Sequence, residues 1–86
     1  PSLEHVLDSV TGLLVGMRLI KAEDATLDGL DTVEGITIEK IDTINKAITL
    51  SKAQIFGDGE QIYFGSTKVS GVGITGYPYV YLVTKR

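Results

Sequence analysis

Gly35-Ile36-Thr37-Ile38-Glu39-Lys40-Ile41-Asp42-Thr43-Ile44-Asn45, followed by Ala47-Ile48-Thr49-Leu50-Ser51, is the stretch whose reading decides the fold. β-branched residues dominate it, and apolar and polar positions alternate, the period of a half-buried strand. Asp42 to Asn45 interrupts the pattern with residues that favour a tight turn. The segment therefore predicts two antiparallel strands joined by a short connection. Working outward, Met17-Arg18-Leu19-Ile20 is a short β-compatible run, and an acidic connection, Glu23 to Asp31, separates it from the strand at Ile36. Downstream, Gly57-Asp58-Gly59 is a second turn signal and Gln61-Ile62-Tyr63-Phe64 a further strand. Val69 to Ile74 and Tyr79 to Thr84 read as the last two strands, with Pro78 at a strand start, where its missing N–H is tolerated.

The first residues read differently. Leu3, Val6, Leu7, Val10 and Leu14 recur at three- and four-residue spacing, which places them on one stripe of a helix over residues 2–14. Ser2 is a suitable N-cap, and Glu4 suits the positive end of the helix dipole. One helix followed by five or six short strands at near-regular spacing predicts a mainly β fold. The expected form is a small five- to six-stranded antiparallel barrel with an N-terminal α-helix. The 86 residues form a single domain: helix 2–14, barrel about 15–75, extra C-terminal strand about 79–84.

Composition narrows the function classes. The chain carries 8 Lys+Arg against 11 Asp+Glu, a net charge of −3, which disfavours a broad electrostatic hold on phosphate or anionic lipid. It has no cysteine, so disulfides, a thiolate nucleophile and thiolate metal sites are excluded. No apolar run approaches the roughly 20 residues of a membrane span, so no membrane partner is expected. The single histidine, His5, falls off the apolar stripe of the expected helix and reads as an inert surface residue. No pair of side chains supplies a nucleophile and its base, so the chain reads as a non-enzyme without cofactor or metal. Gly71-Val72-Gly73-Ile74-Thr75-Gly76 matches the dinucleotide fingerprint literally, but a strand follows it where a helix must. The acidic connection, with Glu23, Asp24, Asp28, Asp31 and Glu34, lacks the alternate-position spacing of a calcium loop and reads as a solvated loop.

Gly35, Asp42, Ile44 and Asn45 occupy the spacing of the first Sm/LSm signature, a glycine with an Asp seven, an apolar residue nine and an Asn ten positions on. The segment thus resembles the Sm/LSm family, whose barrel is SH3-like. Val15 to Leu19 looks like the family's opening strand. The second signature is matched only by Ile62 to Ser66, with Phe64 where the family carries an arginine before the glycine, here Gly65. Leu50-Ser51-Lys52, Phe56-Gly57 and Phe64-Gly65-Ser66 are similar to the divergent LSm branch of decapping enhancers and trailer-hitch-type translational repressors.

The resemblance implies a protein-interaction module of cytoplasmic mRNA decay and repression, located in P-bodies. Its partners would be a decapping enzyme subunit and P-body factors, bound through short leucine-rich helical peptides. Ile55, Phe56, Tyr63 and Phe64 are the expected peptide groove, because they flank a turn and cannot all face one small core. If RNA contact is retained, Asp42, Asn45 and Gly65 would carry it; the alternative for Asp42 and Asn45 is that they shape the turn. Two further readings stay open: a ring-forming LSm subunit on uridine-rich RNA, and an unrelated SH3- or Tudor-like peptide-binding barrel. The missing arginine and the negative charge favour a monomer or dimer over a ring. On the Tyr-rich strand, Tyr77, Tyr79, Tyr81 and Val83 alternate with Val80 and Leu82, which fits a packed extra strand or a protein-binding edge.

Overall fold

In the computed structural model, residues 1–67 and 79–84 are described. They form six strands: β1 (Ser2–Val6), β2 (Met17–Ala22), β3 (Ile36–Asp42), β4 (Ala47–Gln54), β5 (Gln61–Thr67) and β6 (Tyr79–Leu82). All pairings are antiparallel, and the sheet runs in the order β1-β4-β3-β2-β5-β6. The mainly β prediction therefore holds, and the sheet curls into a half-barrel. Just past the ends of its two outer strands, Leu7 forms a bridge with Val83. Two backbone bonds flank the bridge, from Asp8 N to the Leu82 carbonyl at 2.9 Å and from Thr84 N to the Val6 carbonyl at 2.8 Å.

The expected N-terminal helix is not formed; its first turns are strand β1. Leu3, Val6, Leu7 and Val10 suit a helical stripe, but His5 and Leu7 also stand at period two, and both are buried. A lone helix of this length is marginal in water, whereas pairing with β4 satisfies a whole row of backbone groups at once. Tertiary pairing outweighs local preference here. His5 sits opposite Ile48 and Val6 opposite Ala47 in that ladder. His5 is consequently not a surface residue.

The hairpin read from the sequence is present. Ile41 pairs with Ile48 and Asp42 with Ala47, leaving Thr43 to Lys46 as the connection. Lys46 closes it at φ 55°, a left-handed conformation that the loop forces on a non-glycine residue. Leu19, Ile36, Ile38, Leu50, Ile62 and Phe64 project into the curl and are essentially inaccessible to water. Each such side chain contributes about 1.5–3 kcal/mol through burial.

The ends of the curl are filled from connections. Val10 and Leu13, between β1 and β2, join the core, and Ala25 and Leu27 pack on it from the 23–35 connection. The last strand divides as its alternation requires, with Tyr81 and Val83 inward and Val80 and Leu82 outward. Val69 to Ile74, the glycine-rich 71–76 motif, Tyr77 and Pro78 lie outside the described residues.

Candidate functional site

The four residues expected to form one peptide groove are distributed over different parts of the barrel. Phe64 is wholly buried and meets Tyr81 edge-on, ring centroids 5.9 Å apart. Phe56 is also buried, with its ring 4.7 Å from that of His5 and inclined at 66°. Ile55 is 67% exposed and lies beside β1, whereas Tyr63 is half-buried on β5. No shared groove forms because β5 turns Phe64 inward as it turns Tyr63 outward, and β1 covers Phe56.

Asp42 and Asn45 are brought together, and their geometry is that of a turn. Asp42 Oδ1 accepts from the backbone N–H groups of Ile44 and Asn45, each at 3.0 Å. Its Oδ2 accepts from Asn45 Nδ2 at 2.8 Å. The backbone and side-chain bonds from Asn45 hold the Asp42 carboxyl below the usual carboxylate range. Gly65 is elsewhere, paired on β5 with Arg18 of β2. Arg18 was not singled out from the sequence. It is the cation adjacent to Gly65, and its Nη2 donates to the Val33 carbonyl at 3.5 Å.

A surface depression of about 340 Å³ lies beside β1, bordered by Ser2, Glu4, His5, Ile55, Phe56 and Thr84 among others. His5 forms part of its wall, with Nε2 bonded to the Ser2 carbonyl at 2.8 Å. Burial pushes the imidazole below its ordinary pKa, against the opposing pull of that bond and of Glu4. The ring is buried and packs edge-on against Phe56. Among the described residues no group of three or more His, Asp or Glu side chains is placed to hold a metal ion, and no helix is long and apolar enough to cross a membrane.

The acidic connection is held down by two buried polar side chains that carried no sequence signal. Glu60 Oε2 accepts from the backbone N–H of Asp24 at 2.5 Å and of Ala25 at 3.1 Å. Gln54 binds Asp28 on both sides, Oε1 accepting from its N–H and Nε2 donating to its carbonyl. Residues 23–35 are therefore a strap fastened to the barrel. Lys52 lies over Gly29, where a Cβ would collide with its side chain.

The outer face of β5 and β6 carries apolar side chains in the open. Val80 is 47% and Leu82 38% exposed. Tyr63 is directly opposite Val80, and Gln61 opposite Leu82. The Lys21 ammonium sits 5.3 Å from the centre of the Tyr63 ring, within cation–π range. The Tyr63 hydroxyl lies 3.1 Å from Gln61 Oε1 and 3.3 Å from Glu23 Oε2. The result is a strip of Tyr63, Val80 and Leu82 with polar groups along one margin. Compared with known proteins, the chain matches no protein-family model, no curated protein and no solved structure.

Proposed function

We propose that this chain is a non-catalytic protein-interaction module that binds an apolar-faced peptide on the outer face of β5 and β6. The observation that carries the reading is the exposure of Val80 and Leu82 beside Tyr63, on a strand whose alternate residues Tyr81 and Val83 are committed to the core. An apolar strip of this kind, with few charges and a net charge of −3 behind it, suits the apolar face of a partner helix better than a phosphate backbone. The narrower assignment to mRNA decapping and repression rests on short sequence matches: Gly35, Asp42, Ile44 and Asn45, with Leu50-Ser51-Lys52, Phe56-Gly57 and Phe64-Gly65-Ser66. It takes no support from the N-terminus, which is a strand, or from a groove uniting Phe56 with Phe64.

The test is a titration of isotope-labelled protein with a leucine-rich amphipathic helical peptide, followed by backbone amide shifts. The proposal expects the largest changes at Gln61 to Tyr63 and Val80 to Leu82. Changes confined to other strands, or none at millimolar peptide, contradict it. Binding of oligo-uridine that weakens steeply with salt would favour the RNA reading instead.

A further inference from the structure

We propose that Asp28–Gly29 is a site of spontaneous backbone isomerisation to isoaspartate, and that the change unfastens the 23–35 strap. The chain has two Asp-Gly pairs, Asp28–Gly29 and Asp58–Gly59. All else being equal, both are prone to this reaction, because glycine leaves the backbone nitrogen sterically open to the preceding carboxyl. Both aspartates are exposed, and both glycines are left-handed, at φ 95° and 79°. The pairs differ at the reacting atom. The Gly59 N–H donates to the Val83 carbonyl at 2.7 Å. The Gly29 N–H donates to no group among the described residues.

The reaction consumes that N–H. The Gly29 nitrogen gives its proton to solvent and attacks Cγ of the protonated Asp28 side chain. Water leaves, and a five-membered succinimide forms. Water then adds at the former main-chain carbonyl, and the bond from that carbon to the Gly29 nitrogen breaks. The chain now runs through Cβ and Cγ of residue 28, and the original carbonyl carbon has become a free carboxylate. One water is lost and one regained, with no change of oxidation state. At Gly59 the Val83 carbonyl must first be released before the nitrogen can react.

The product does not fit the strap's fastening. The Asp28 carbonyl oxygen accepts from Gln54 Nε2 at 2.7 Å, while Gln54 is only 2% exposed. After isomerisation that oxygen belongs to a carboxylate, whose charge is desolvated against the buried amide. The main chain is also one carbon longer, so Gln54 can no longer meet the N–H and the carbonyl of residue 28 together. The strap begins at Glu23, whose carboxylate neighbours the Tyr63 hydroxyl, so its release reaches the margin of the β5–β6 strip.

The test is incubation of the folded chain at neutral pH and 37 °C, followed by peptide mapping that separates isoaspartyl from aspartyl forms. Isoaspartate is expected at Asp28 ahead of Asp58 by roughly 2- to 10-fold, the worth of the one backbone hydrogen bond that protects Gly59. In urea the two rates are expected to converge. Equal rates in the folded chain, a faster rate at Asp58, or a ratio that persists in urea would each overturn the assignment. Purified Asp28-converted protein is expected to exchange its Asp24, Ala25 and Asp28 amides faster than the parent. Unchanged exchange would overturn the unfastening.

Discussion

Gln54 grips Asp28 from both sides: its Oε1 lies 2.9 Å from the Asp28 nitrogen and its Nε2 lies 2.7 Å from the Asp28 carbonyl oxygen. One buried side chain at the end of β4 thereby substitutes for a strand neighbour, satisfying both backbone groups of a residue that belongs to no sheet. Replacing it by alanine removes the partner of both the Asp28 N–H and the Asp28 carbonyl at once. Gln54→Ala is expected to cost about 1–3 kcal/mol, read as a lowered denaturation midpoint. Amide exchange at Asp28 is expected to accelerate more than at the central strands β2 and β3. Uniform acceleration would argue against a local clasp.

Glu60 fastens the other end of the strap by accepting from Asp24 and Ala25. Charge-assisted bonds of this kind are stronger than neutral ones. Glu60→Gln keeps an acceptor oxygen but loses the charge, so it is expected to destabilise less than Glu60→Ala. Denaturant midpoints of the two variants check the order, and an inverted order contradicts the role given to the carboxylate.

His5 makes stability depend on pH. Burial depresses its folded-state pKa below the unfolded value of 6.5. Between the two values the unfolded chain binds more protons, so stability rises with pH in that window and is lost as pH falls below about 6.5. Thermal melts from pH 7.5 to 5 are expected to show this decline, and His5→Gln to flatten it. A wild-type profile that is flat across the window contradicts the buried, neutral imidazole.

Asp42 acts on the β3–β4 turn. Both carboxylate oxygens accept bonds inside the loop, which suits Lys46 being held at positive φ. Asp42→Ala is expected to lower the melting temperature. Because the pKa of Asp42 is depressed in the folded chain, its contribution is present above the unfolded carboxylate range and is lost as pH falls through the folded value. A side-chain carboxyl titration by NMR with an ordinary midpoint would contradict the turn geometry.

These outcomes mark what was legible in the sequence. Ile36 to Ser51 declared its strands and turn because β-branched alternation and Asx chemistry are both local signals. The Val80/Tyr81/Leu82/Val83 alternation was equally local, and the structure resolves which side faces inward. The first strand was misread because Leu3, Val6, Leu7 and Val10 satisfy a helical period, while the partner that makes them a strand, β4, lies more than forty residues away. The clasps were invisible for the same reason. Glu60 meets Asp24 from 36 positions away and Gln54 meets Asp28 from 26, and neither side chain carries a motif. Nothing local tells the buried Phe56 and Phe64 apart from the exposed Ile55 and the half-buried Tyr63 beside them.

The most direct measurement of the central claim is calorimetric titration of a leucine-rich helical peptide into the wild-type chain and into the Val80→Asp/Leu82→Asp double variant. Both side chains point away from the core, so the variant is expected to keep its fold, which its thermal melt verifies. Loss of two apolar anchors is expected to weaken binding at least about tenfold. Unchanged affinity in a folded variant would contradict the β5–β6 face as the binding surface.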